Sequence, residues 1–433
     1  MIDTTPESPP GARQPPSTAR EQQSLTLIPG LPNDVGSLIL SMVPYSHHAR
    51  IKQTCKSWNR VLSSKPFFST FLHRRRNHLL CIFPQDPSIA SPFLFDPQNH
   101  AWCPLPPMPC NPQVYGLCNF AAVPLGHHLY VLGGSLFGIG SFLAITISLP
   151  LLPWLFPSDH HSPSFATFRL SLRDFTWRPR APMLSPRGSF ACAVVPRSGQ
   201  ILVAGGGSRH TMFAAAGTRI RAAERYDARR DRWYPIEGLP GFRAGCVGFV
   251  SGGGREFWAM GGYGASRTIS GVFPVDEYYR DAAVMELDGD GGWREIGDMW
   301  GDGERVRAGK IVVVENDDDD KSDYPGVYML DGDEILRYDM STNRWLCESR
   351  VPRKAPYNSS FGVVVVNGEL YVLTHLCIVD MTETRRSRQH RRAGTLYIQI
   401  YNPKKKTWRS LVTKSPFSYP IDINTTVLSS ICL

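Results

Sequence analysis

No Cys-x-x-Cys pair occurs among the ten cysteines, and none stands at a zinc-like spacing from histidine. That removes the common sulfur–metal sites and the thioredoxin-like redox motif. A nucleophile elbow, a phosphate-binding P-loop and a paired-carboxylate pattern are also missing. Gly205-Gly206-Gly207 ends an apolar run with no helix start behind it, so it reads as a turn and not as a phosphate cradle. The histidine pairs His47-His48, His127-His128 and His160-His161 lie in predicted loops, where adjacent residues converge poorly on one metal. No cofactor is expected. Met1 to Ser24 is rich in Pro, Ser and Thr and lacks the apolar stretch of a secretory signal, so residues 1–24 are expected to be a disordered tail.

The charge is moderate and blocky. It amounts to +9 from 47 Lys+Arg against 38 Asp+Glu, with runs at Arg74-Arg75-Arg76, Lys404-Lys405-Lys406 and Asp317 to Asp320. The basic runs fall in predicted turns without interleaved aromatics, which argues against nucleic-acid binding. Cys118, Cys192, Cys246 and Cys432 sit in predicted apolar strands, where a thiol behaves as a small hydrophobe. A reducing compartment follows, cytoplasm or nucleus. Ser135 to Ser158 carries no charge and nominally has the length of a membrane span. Pro150, Pro153 and Pro157 break it, however, and it interrupts a repeat. Residues 135–158 are therefore read as an apolar insertion, with no membrane partner.

What is present is a repeat. Phe95…Trp102, Tyr226…Trp233, Tyr338…Trp345 and Tyr401…Trp408 each place an aromatic before a polar turn and a tryptophan after it. Leu170…Trp177 keeps the spacing with Leu in the aromatic place, and a degenerate copy pairs Leu287 with Trp293 across Asp288-Gly289-Asp290-Gly291-Gly292. A period of this length made of strand, turn and strand belongs to radial β architectures. Ahead of each pair come an apolar strand and a strand that in the clearest copies ends in glycines, as in Ala191-Cys192-Ala193-Val194-Val195 and Ile201-Leu202-Val203-Ala204-Gly205-Gly206. The 38 Gly and 36 Pro of the chain read as turn punctuation between such strands. A four-stranded sheet buries both faces only between two neighbours, and a closed ring gives every sheet two.

The Gly-Gly, Tyr-Asp and Trp order resembles the kelch repeat, over roughly residues 78–433. The first unit, His78 to Trp102, lacks a first strand, whereas Asn424 to Cys432 is a spare strand at the other end. The expected fold is thus mainly β: a six-bladed kelch β-propeller closed by its own C-terminal strand. Some propellers resembling galactose oxidase are copper enzymes, but no convergent Tyr, His and Cys–Tyr set is identifiable, so no enzyme is expected.

Residues 25–72 follow another pattern. Val35, Leu38, Ile39 and Val43 have helical spacing, Pro32 suits a first helical turn, and Pro44 ends the helix. A second helix is predicted over Ala49 to Leu62, with Ile51, Cys55, Trp58 and Leu62 on one face. So few residues cannot bury that much apolar surface alone, which calls for a partner. Leu31-Pro32, Ile39-Leu40, Cys55-Lys56-Ser57-Trp58 and Ser64-Lys65-Pro66-Phe67 resemble the F-box motif. Gly36 departs from it and should weaken the first helix by up to about 1 kcal/mol.

The combination resembles a plant-type F-box/kelch protein, a non-catalytic substrate receptor of a Skp–cullin–RING ubiquitin ligase. The resemblance implies that Leu31, Pro32, Val35, Ile39, Leu40, Val43, Ile51, Cys55 and Trp58 bind a Skp-type adaptor and that the propeller binds a target protein for ubiquitination. Before the first strands lie Tyr115, Arg187, Arg243, Arg307 and Asn358, with Arg209 after a glycine run. Radial symmetry would gather them on one rim, where the arginines form a positive ring for an acidic or phosphorylated target. Alternatively, each arginine closes its own loop by binding carbonyls. The rival functions are a kelch scaffold without a ligase role and a small-molecule sensor or oxidase.

Overall fold

The structure, a computed structural model, describes residues 26–74, 78–84, 91–109, 117–136, 162–195, 197–207, 219–269, 273–289, 291–300, 309–315, 325–354, 361–378, 392–417, 421–423 and 425–433. The tail at 1–24 and most of the apolar insertion lie outside them.

Blade 3 shows how local chemistry builds each sheet. Ala191–Val195, Gln200–Ala204, Ala223–Asp227 and Arg232–Ile236 run antiparallel in chain order from the axis outward. The second strand ends where the chain must pass the next blade's entry loop. Gly205, at φ +67°, has no room for a side chain: a Cβ would stand 2.3 Å from the Arg243 carbonyl oxygen. Gly206 N–H donates to that same carbonyl at 2.8 Å, so the glycine pair joins blade 3 to the entry of blade 4.

The aromatic and the tryptophan are cross-strand partners. Tyr226 faces Trp233, Tyr338 faces Trp345, Tyr401 faces Trp408, and Phe95 faces Trp102, with ring centroids 4.6 to 5.2 Å apart. Each pair packs on the preceding blade, as Tyr226 and Trp233 do on Tyr130 and Leu132. The indole N–H then reaches back: Trp233 donates to the Ala181 carbonyl, Trp177 to the Pro106 carbonyl and Trp293 to the Glu237 carbonyl, at 2.8 to 2.9 Å.

Six such sheets close a ring. The innermost strands Val427–Cys432, Ala121–Leu125, Ala191–Val195, Val247–Ser251, Lys310–Val314 and Gly362–Val366 each neighbour the next, and the last returns to the first. Blade 1 takes its inner strand from the C-terminus, with His78 opposite Cys432 and Phe83 opposite Val427. The chain thereby meets the sixfold, C-terminally closed ring expected of it.

One register differs from the sequence reading. In blade 4 the residue facing Trp293 is Met285, not Leu287, because the Gly-rich turn is one residue longer than its counterparts. That blade also carries a hairpin, Tyr263–Ile269 with Phe273–Tyr278, that the repeat does not contain.

Candidate functional site

Among the described residues four α-helices precede the ring: α1 (Asn33–Met42), α2 (His48–Ile51), α3 (Lys56–Leu62) and α4 (Lys65–Arg74). Pro32 stands at the N-cap of α1 and Pro44 follows its C-cap, Val43. Gly36 has a local use. A Cβ there would come 3.1 Å from Leu27 Cβ, so glycine lets residues 27–28 fold closely across α1. The single helix expected over Ala49 to Leu62 is instead two. The chain turns after Ile51, and Cys55 adopts extended dihedrals (φ −156°, ψ 159°) as the N-cap of α3, its thiol accepting from Trp58 N–H at 3.5 Å. Cys55 is exposed, and the Ser57 hydroxyl, then the Trp58 N–H, hold its pKa below the ordinary thiol value.

This helical unit has two unlike sides. On one, Tyr45, Leu62, Phe67, Phe68 and Phe71 are buried in one core with Leu79, Leu129 and Leu170 of blades 1 and 2. Polar bonds fix the contact. The Tyr45 hydroxyl donates to the Leu172 carbonyl, Ser46 Oγ to Asp96 Oδ2 at 3.0 Å, and Lys52 Nζ to the Arg173 carbonyl. His48 sits against Tyr45 and Phe71, ring centroids 5.3 and 4.9 Å away. Burial pushes its pKa down to about 4, so the ring is neutral and its Nε2–H donates to the Val43 carbonyl at 3.1 Å.

On the other side Leu31, Val35, Leu38, Ile39 and Met42 are 37 to 57% exposed. Their spacing makes one stripe along α1. Pro32 is exposed at its start. Of the residues expected to bind an adaptor, Leu31, Pro32, Val35 and Ile39 therefore lie in the open. Leu40, by contrast, is 3% exposed and belongs to the core shared with the propeller. Val43 and Ile51 are half-buried, and Trp58 is half-buried with its indole N–H on the Leu27 carbonyl at 2.7 Å. Met42 is a member that sequence reasoning missed, although the helical period 35, 38, 39, 42 contained it.

The positive ring requires a correction. Arg187 is fully buried: Nη1 donates to the Gly205 and Ala222 carbonyls at 2.9 and 2.7 Å, and Nη2 to the Glu224 carboxylate. Glu224 also accepts from Leu184 and Ser185 N–H at 2.7 and 2.9 Å. Arg243 repeats the arrangement with the Gly261 carbonyl and Asp281, both within 2.8 Å, and stacks 4.1 Å over Tyr279. These positions are where the chain passes from the outer strand of one blade to the inner strand of the next. Strand-end carbonyls gather there, and the guanidinium satisfies them. Neither side chain is available on the rim. Tyr115, Arg209, Arg307 and Asn358 lie outside the described residues.

The two ends of the ring are thus distinguished. The helical unit touches the turns joining first to second and third to fourth strands, at His127, Asp96 and Arg173. The opposite end carries Phe165, Leu184 and Phe242, each more than half exposed, and exposed Arg221. Among the described residues no group of three His, Cys, Asp or Glu is placed to hold a metal, and no helix is long and apolar enough to cross a membrane.

The described residues thus form a closed six-bladed propeller carrying a small helical unit. Residues 28–70 match the F-box domain family. Over 96% of its length the chain is 54% identical to the F-box/kelch-repeat protein OR23 of Arabidopsis thaliana, covering 93% of that relative. It is 31% identical to the F-box/kelch-repeat protein SKIP30 of the same plant, over 54% of this chain and 60% of the relative. The chain belongs to the plant F-box/kelch-repeat family. Its F-box domain implies a Skp-type adaptor, and members of the family are generally non-catalytic adaptors.

Proposed function

We propose that this protein is the substrate-recognition subunit of a Skp–cullin–F-box ubiquitin ligase. The observation that carries the reading is the two-sided helical unit: one side is sunk in the propeller core, and the other leaves Leu31, Val35, Leu38, Ile39 and Met42 in solvent. Surface of that kind on a helix of ten residues finds its energy in a partner. The Skp-type adaptor docks there and brings the cullin–RING ligase. The target protein binds the far end of the ring, around Phe165, Leu184, Arg221 and Phe242. An apolar target segment suits this surface better than the acidic one expected from the arginines, two of which are internally paired.

The protein itself makes and breaks no bond. It raises the target's concentration near the ubiquitin-charged enzyme. The setting we propose is the cytoplasm or the nucleus, a reducing compartment in which Cys55, Cys81, Cys103, Cys192, Cys246, Cys347 and Cys432 stay free thiols.

Co-purification with a Skp-type adaptor tests the reading. Leu31→Ala/Pro32→Ala and Ile39→Asp should each abolish it while leaving the melting temperature unchanged. Retention of the adaptor by these folded variants would return the scaffold without a ligase role. Point variants are the better tool than deletion of residues 1–70, since Tyr45, Phe67 and Phe68 would leave the shared core with the deleted segment.

A further inference from the structure

Two of the six blade junctions lack the aromatic that elsewhere faces the tryptophan. Between blades 1 and 2 the residue is Leu170, and a substitute ring comes from outside the repeat. Tyr45 of the helical unit enters that junction's core and stacks on Phe175, centroids 5.6 Å apart. Between blades 3 and 4 the residue is Met285. Phe257, one strand further in, approaches Trp293 to 5.8 Å. A second feature is lost with the ring. Tyr226 and Tyr338 each give their hydroxyl at 2.6 Å to a turn residue with positive φ, Asp231 and Asn343. The equivalent position in blade 4, two residues before the tryptophan, is Gly291.

Where phenol and acceptor are both missing, a cleft of about 370 Å³ opens between blades 3 and 4. Leu202, Ile236 and Met285 line its apolar part, with Arg225 of blade 3 and Glu286 and Asp288 of blade 4 among its polar groups. Its volume lies in the range of small-ligand sites.

We propose that this cleft binds a single aromatic ring tipped with a hydrogen-bond donor, a phenol or an indole. The ring takes the place that tyrosine fills at neighbouring junctions, and the carboxylate of Asp288 accepts from its tip as Asp231 accepts from Tyr226. Arg225 supplies a cation at the wall for the ring face. The same chemistry is offered by a free phenolic molecule and by a tyrosine side chain of a partner protein.

Saturation-transfer NMR on the full chain tests this with p-cresol and with N-acetyl-tyrosine methylamide as probes. The wild type should bind at least one of them, and a preference for the first or the second supports a free ligand or a partner's side chain respectively. Met285→Tyr/Gly291→Asn restores the internal ring, and Ile236→Phe fills the cleft from the opposite wall. Both should weaken binding at least about tenfold without touching adaptor binding, and the first should raise the melting temperature. Absence of transfer in the wild type, or unchanged affinity in either filled variant with native melting, overturns the proposal.

Discussion

Arg187 joins three parts of the chain at one point: the end of the second strand at Gly205, the start of the third at Ala222, and Glu224 within the third. Such a pair adds little over an apolar pair of equal shape, yet removing one partner strands a buried charge. Arg187→Ala should therefore cost about 3–5 kcal/mol, read from the urea midpoint, and Arg187→Met/Glu224→Leu should recover part of the loss. His48 makes the pH prediction. Its folded pKa of about 4 lies below the unfolded value of 6.5. The unfolded chain thus binds the extra proton first, so the stability due to a neutral His48 is complete above pH 6.5 and is lost as pH falls toward 4. The loss is at most about 3 kcal/mol. Burial lowers the pKa of His127 and His128 as well, which gives the same sign. Urea titrations across that window should show a steep fall in the wild type and a shallower one in His48→Gln.

At the scale of the element, α1 and the short helices after it divide their apolar residues between the propeller core and solvent. Leu40 goes inward with Tyr45, Phe67 and Phe71, while Val35, Ile39 and Met42 remain outside. Substitutions on the two sides should consequently behave in opposite ways. Ile39→Asp should remove adaptor binding with no shift in melting temperature. Tyr45→Phe should keep adaptor binding and lose about 1 kcal/mol with the bond to the Leu172 carbonyl, seen in differential scanning calorimetry. The helical period marks the stripe but not this division. Leu40 and Met42 both fit an apolar face, and only the docked propeller decides which is covered.

The whole molecule depends on a closure that joins residues more than 340 positions apart, His78 with Cys432 and Phe83 with Val427. An open ring leaves His78–Phe83 as an exposed, strongly apolar edge. Removing residues 427–433 should therefore abolish cooperative unfolding in calorimetry and drive the protein into aggregates on size exclusion. The helical unit is fixed to this ring by a continuous core, so the exposed stripe of α1 and the far end of the ring hold one orientation.

The blade number, the borrowed C-terminal strand and the existence of a helical unit were legible in the chain itself. Glycine pairs, aromatic–turn–tryptophan spacing and helical periods are short-range imprints that each blade or helix must carry to form at all. The fate of Arg187 and Arg243, the inward turn of Leu40, the break after Ile51 and the exposure of Phe165, Leu184 and Phe242 were decided only in three dimensions. So was the Met285 vacancy, because one added turn residue shifts which side chain meets Trp293. Each of these turns on contacts between segments far apart in the chain, and local spacing does not record which partner arrives.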